Sequence, residues 1–177
     1  METERLRMDV EAAVRSIPDF PKPGILFRDI TTVLQDGPLF LRVCAHLAAL
    51  VRDARCDGVA GIESRGFVFA APVAASLGLP LALIRKPGKL PWRVRRESYA
   101  LEYGTDAIEM HEDAVHPGER VALVDDLLAT GGTAEAAVRL IRALGADVAL
   151  CAFLVELKDL GGRARLAPIR VEALVGY

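Results

Sequence analysis

Apolar residues change their spacing several times along the chain, and each change marks an element. Leu6, Val10, Val14 and Ile17 recur at helical spacing until Pro18 stops them, which predicts a first helix. In the stretch DFPKPGILFRDI that follows, Pro21, Pro23 and Gly24 predict irregular, extended backbone. A second helix is expected to start near Asp36 and Pro38, where a capping residue precedes a proline. Phe40, Val43, Cys44, Leu47, Leu50 and Val51 form its apolar stripe. Beyond it the pattern alternates. Residues 58–62 and 79–84 read as buried strands on either side of an Ala-rich helix over 66–77, which Gly78 ends. Residues 85–104 are polar, basic and broken by Pro87, Gly88 and Pro91, and read as a long flexible loop with a hairpin at its far end. Residues 120–124 form another strand, 133–144 a helix ended by Gly145, and 147–155 and 171–175 the last strands. Such alternation predicts an α/β fold, an open and mostly parallel sheet with helices on both faces.

Composition narrows this picture. A length of 177 residues fits one domain, 1–177, with residues 1–35 as a small N-terminal segment. Hydrophobic residues at 52% and charged residues at 26% supply a sizeable core and exclude a disordered chain. The 22 Lys and Arg nearly balance the 24 Asp and Glu, a net charge of −2, which argues against a nucleic-acid binder. The apolar region from 68 to 83 is interrupted by Pro72, Ser76, Gly78 and Pro80, so no membrane span is expected. The first residues, METERLRMDVEAAVRSI, lack a signal-peptide core. Cys44, Cys56 and Cys151 are widely spaced without a CxxC, and a reducing cytoplasm is expected. His46, His111 and His116 are too scattered for a histidine metal cluster.

In open α/β sheets, ligands bind beyond the carboxyl ends of the strands. Three such ends carry chemistry here. In RVALVDDLLATGGT, an apolar strand runs into Asp125 and Asp126. Two adjacent carboxylates repel each other and lose hydration, so they call for donors such as vicinal sugar hydroxyls or a hydrated cation. Next, Ala129, Thr130, Gly131, Gly132 and Thr133 open a helix and leave backbone N–H groups for an anion. Carboxylates beside a phosphate cradle fit a ribose 5-phosphate. The second end, GIESRGF, offers Glu63, Ser64 and Arg65 at a helix start, either as a second anion site or as a solvated cap. The third, IRKPGKLPWRVRR, holds Arg85, Lys86, Lys89, Arg93, Arg95 and Arg96 with no acid among them, which suits an anionic leaving group or a solvated loop. Ile25, Leu26 and Phe27 follow two prolines and a glycine, so they read equally as a shaped loop or as core.

The strings VDDLLATGGT, DFPKPGILFRDI, GIESRGF, IRKPGKLP and SYALEYG resemble the signatures of the type I phosphoribosyltransferases, in that family's order and over residues 16–177. With Leu127, Leu128 and Ala129 between the acids and Thr130, the chain is similar to the adenine-specific branch. The resemblance implies the type I phosphoribosyltransferase fold with a flexible lid and a small N-terminal base-binding hood. It implies transfer of the 5-phosphoribosyl group from phosphoribosyl diphosphate to adenine, giving AMP and diphosphate. Asp125 and Asp126 would hold the ribose hydroxyls, and Ala129, Thr130, Gly131, Gly132 and Thr133 the 5-phosphate. Glu63, Ser64, Arg65, Arg85, Lys86 and Lys89 would manage the diphosphate, with a non-proline cis peptide before Ser64. Ile25, Leu26, Phe27, Arg28 and Leu128 would bind adenine. Glu102, Tyr103 and Arg65 would be catalytic, Glu102 near the purine N7, and Tyr99 would belong to the lid. No lysine or acid-rich segment stands where 6-oxopurine enzymes carry one, which favours adenine. Magnesium is expected to arrive with the substrate, with no protein ligand beyond water-mediated contact to Asp125 and Asp126, and the chain to form a homodimer. Two other readings remain open at this point. One is a phosphoribosyltransferase for a different nucleobase. The other is a regulator that senses phosphoribosyl diphosphate without catalysis, although such proteins usually add a DNA-binding domain.

Overall fold

A computed structural model describes residues 1–100 and 105–177 of the chain, with only the backbone of Ala100. The chain forms two compact units, Met1–His46 and Leu47–Tyr177. The first unit opens with helix α1 (Glu2–Ala13), which buries Leu6 and Val10. The helix ends before Ile17, contrary to the expected run to Pro18. Residues Arg15–Ile17 instead form strand β1, antiparallel to β2 (Phe27–Asp29), with Ile17 opposite Phe27. An apolar residue at helical spacing serves equally well as one rung of a short ladder. A short helix α2 (Thr31–Gln35), not foreseen, precedes α3 (Gly37–Asp53). Helix α3 starts as expected, with Asp36 Oδ1 accepting the Leu39 N–H at 3.0 Å.

The second unit holds five parallel strands. They are β3 (Gly58–Ile62), β4 (Leu81–Ile84), β7 (Arg120–Leu128), β8 (Asp147–Glu156) and β9 (Arg170–Gly176), in the spatial order β4-β3-β7-β8-β9. Between β4 and β7 lies the hairpin of β5 (Val94–Ala100) and β6 (Thr105–His111). The stretch 85–104 is therefore less of a loop than its polarity suggested. Residues 94–100 are strand because Tyr99, Ile108 and Met110 belong to the buried core.

Helix α4 (Arg65–Leu77) covers one sheet face, and α5 (Gly132–Ala143) the other. Alternation along β3 shows why. Ala60 and Ile62 join the core cluster with Ala134, Ala137 and Ile141 of α5. Gly61 faces the opposite way, where a Cβ would lie 2.7 Å from Ala70 of α4. After β8, a 3-10 turn (Lys158–Leu160) and a short helix α6 (Gly162–Arg165) were not foreseen. Among the described residues no helix is long and apolar enough to cross a membrane.

The strand order decides where a ligand can bind. The connection from β3 runs to β4 on one side, whereas the later strands add on the other. The order in which strands are added thus reverses between β3 and β7, and open sheets of this kind bind ligands at the carboxyl ends of the strands flanking such a point.

Candidate active site

Strand β3 ends at Ile62 and β7 carries Asp125 and Asp126, so the segment Glu63–Arg65 and the two acids meet at the switch point. The acids lie within β7 and not beyond it, because pairing with β8 continues to Leu128 opposite Glu156. Arg65, the first residue of α4, donates from Nε to Asp126 Oδ2 at 2.5 Å. Asp126 is 6% exposed. Its backbone N–H donates to Asp125 Oδ1 at 2.8 Å. Gly66 makes room for Asp125, since a Cβ there would lie 2.6 Å from Asp125 Oδ1. Burial holds the Asp125 carboxyl well above the usual carboxylate range, and the neighbouring Asp126 charge pushes it the same way. Ser64 precedes α4 without making a side-chain cap, and the Glu63–Ser64 peptide is cis.

The segment expected to cradle an anion is shaped from behind. Gly131 has a φ of +81°, and a Cβ on it would lie 2.7 Å from the Gly162 carbonyl. A Cβ on Gly162 would in turn lie 2.2 Å from the Ala129 carbonyl. Residues 129–131 are therefore pressed against the start of α6, leaving Gly132 and Thr133 to open α5. Leu128 is buried beneath this contact. Reading the sequence missed Gly162; the Gly161–Gly162 pair directly after the 3-10 turn was the available signal.

The basic loop after β4 is organised by carboxylates. Glu63 accepts the Lys86 backbone N–H at 2.9 Å and Arg85 Nη2 at 3.1 Å, and these two donors hold its carboxyl below the usual range. Glu63 thus ties the backbone of Lys86 and the guanidinium of Arg85 together. Arg85 Nη1 reaches the Lys89 carbonyl at 3.1 Å. Glu109 of β6, buried, was not singled out in the sequence. It accepts the Gly88 N–H at 3.0 Å, and its backbone pairs with Arg85 in both directions. The ammonium of Lys86 bonds to Tyr99 and Asp106 of the hairpin. Tyr99, expected in the lid, is 6% exposed and belongs to the core. Glu102 and Tyr103 lie outside the described residues.

In the first unit, Asp19 Oδ1 accepts the Gly24 N–H at 2.7 Å, which closes the loop before the expected base-binding segment. Ile25 and Leu26 are exposed, and the Phe27 ring meets the edge of Phe20 at 5.1 Å. Arg28 Nη1 donates to Ser16 Oγ at 2.5 Å.

Residues 31–171 match the phosphoribosyl transferase domain. The adenine phosphoribosyltransferase of Aeromonas salmonicida is 52% identical over 177 residues, covering 99% of this chain and 97% of that protein. The chain belongs to the adenine phosphoribosyltransferase family. Solved members share its fold throughout. The adenine phosphoribosyltransferase of Thermoanaerobacter pseudethanolicus superposes with a TM-score of 0.94 at 45% identity, covering 97% of this chain and 99% of that one. The Saccharomyces cerevisiae enzyme, solved with adenine and an imino-altritol bisphosphate, superposes with a TM-score of 0.90 at 35% identity, covering 97% and 99%.

Proposed function

We propose that this chain transfers the 5-phosphoribosyl group from phosphoribosyl diphosphate to adenine, giving AMP and diphosphate in purine salvage. The observation that carries this is the meeting of Arg65, Asp126 and Asp125 at the switch point, followed directly by the glycine cradle at the start of α5. The kinship with adenine enzymes over nearly the whole chain supports the choice of base.

In this reading Asp125 and Asp126 bind the two ribose hydroxyls, and residues 129–133 bind the 5-phosphate. The bond from ribosyl C1′ to the diphosphate oxygen breaks, and the N9 lone pair of adenine forms the new bond as the N9 proton leaves. Positive charge at C1′ develops beside the two carboxylates, while Arg65, Arg85, Lys86 and Lys89 stabilise the departing diphosphate. Glu102 and Tyr103 close over the reactants, with Glu102 as the acid or base near N7, and Ile25, Leu26, Phe27 and Arg28 bind the base. Magnesium fits as an ion carried by the substrate phosphates. The half-buried Asp125 carboxylate, poorly hydrated and beside the charge of Asp126, is costly as an anion and gains from a hydrated cation nearby. Among the described residues no group of three or more His, Cys, Asp or Glu is placed to hold a metal by itself. We further read residues 1–177 as one cytoplasmic domain that works as a homodimer, in line with its three free thiols and the family's usual state.

Purified protein is incubated with phosphoribosyl diphosphate, magnesium and adenine, hypoxanthine or guanine in turn, and the nucleotides are separated by chromatography. AMP from adenine is the expected product. A nucleotide of another base in its place would assign a different substrate, and binding without turnover with any base would make the chain a sensor.

A further inference from the structure

We propose that Asp106 is a positioning residue that competes with diphosphate for Lys86 and thereby weakens the hold on the leaving group. This rests on the proposed function, which assigns Lys86 to diphosphate.

Lys86 is anchored at both ends, and the two ends point to different tasks. Its backbone N–H is fixed by Glu63 at 2.9 Å, inside the loop that carries Arg85 and Lys89. Its ammonium is drawn instead to the hairpin. There it donates to the Tyr99 hydroxyl at 3.0 Å and to Asp106 Oδ2, and lies 5.6 Å from the Tyr99 ring centre. Tyr99 and Asp106 are cross-strand partners, and the Tyr99 hydroxyl also donates to Asp106 Oδ2 at 3.0 Å. Asp106 Oδ1 accepts the Ala107 N–H at 2.7 Å, so the carboxylate is held in orientation without Lys86. The trap is therefore rigid and the lysine is the movable part.

Exposure sets how strong this trap is. The Lys86 side chain is 41% exposed and that of Asp106 32%, so water and salt screen the pair. Such a pair holds a flexible ammonium only weakly, whereas diphosphate presents several negative charges at once. Binding diphosphate strips Lys86 from Asp106, and release of diphosphate returns it. Affinity for substrate and product is lowered by the strength of the pair, about two- to fivefold.

Titration calorimetry of inorganic diphosphate with magnesium tests this on four proteins: the unaltered chain, Asp106→Asn, Lys86→Met and the double variant. Asn keeps an oxygen for the Ala107 N–H, places an NH2 that can donate to the Tyr99 hydroxyl oxygen, and loses the charge. Asp106→Asn is expected to bind diphosphate about two- to fivefold more tightly. Lys86→Met is expected to bind it more weakly, and adding Asp106→Asn to Lys86→Met should change nothing further. If Lys86→Met binds as the unaltered chain does, the assignment of Lys86 to diphosphate falls, and the competition falls with it. If Lys86→Met is weaker but Asp106→Asn fails to tighten binding, or tightens it equally in both backgrounds, the competition alone is overturned.

Discussion

Asp125 sits beneath the first turn of α4, where the missing side chain of Gly66 admits its carboxylate. Burial and the charge of Asp126 make the ionised form unfavourable in the folded protein. The sign follows from linkage. A carboxyl whose folded pKa is raised contributes fully to stability below its unfolded value of about 3.9, and the contribution declines as pH rises toward the folded value. Asp125→Asn removes the charge and retains an oxygen for the Asp126 N–H. Calorimetric scans from pH 4 to pH 8 should show a higher Tm for Asp125→Asn near neutrality, with the gain shrinking toward about pH 4. The same substitution should lower kcat/KM with phosphoribosyl diphosphate by about tenfold or more. A stabilised but poorly active variant is the expected result, because the cost of burying Asp125 serves ligand binding and not the fold. A lower Tm at neutral pH would show that the carboxylate is stabilising where it stands.

At the scale of elements, α6 is only four residues long yet bears on residues 129–131, the proposed phosphate cradle. It cannot easily retreat. Arg163 grips Glu156 at the end of β8 with two bonds, Nε to Oε1 at 3.0 Å and Nη2 to Oε2 at 2.6 Å, and Nη1 reaches the Val171 carbonyl at 2.5 Å. A methyl group on Gly162 would therefore meet the Ala129 carbonyl with neither side free to yield. Gly162→Ala is expected to cost about 1–3 kcal/mol of stability through overpacking. It should also raise KM for phosphoribosyl diphosphate more than it lowers kcat, since the distortion falls on residues 129–131, where the 5-phosphate is proposed to bind. Denaturant titration and steady-state kinetics measure the two effects. A KM within about twofold of the unaltered value would separate α6 from the cradle. The sequence concealed this element because four residues show no apolar period, whereas α5 was legible over its whole length.

At the scale of the molecule, the two units each bury a thiol. Cys44 lies in the first and Cys151 in the second, and burial pushes them up to about 11 and about 12. At pH 8 neither is a thiolate in the folded chain, so alkylation by iodoacetamide should wait for opening of the surrounding structure. Mass spectrometry after timed labelling should find both unmodified in native buffer and both modified in denaturant. Early labelling of Cys44 alone would show that the first unit opens independently. The net charge of −2 belongs to this scale too. It averages over local fields of opposite sign: Arg85 and Lys89 on one loop, Asp125 and Asp126 on one strand. A few local charges of one sign can therefore serve the proposed anion site without a basic surface.

The sequence alone determined the five strands of the parallel sheet and the two helices that cover it, the order of the motifs, and the adjacency of the carboxylates to a glycine-rich turn. These rest on local periodicity and on residues adjacent in the chain, where steric and hydrogen-bonding preferences act directly. Only the tertiary structure decided that Arg65 bonds Asp126, that Gly162 backs the cradle, that Glu63 and Glu109 hold the basic loop, and that Lys86 turns to Asp106. Each joins residues at least 20 positions apart in the chain, and the fourth runs between a loop and a strand. No repeat in the chain encodes those distances. They arise when the parallel sheet sets β3 beside β7 and the hairpin beside β4, and a charge then takes whichever partner that packing brings within reach.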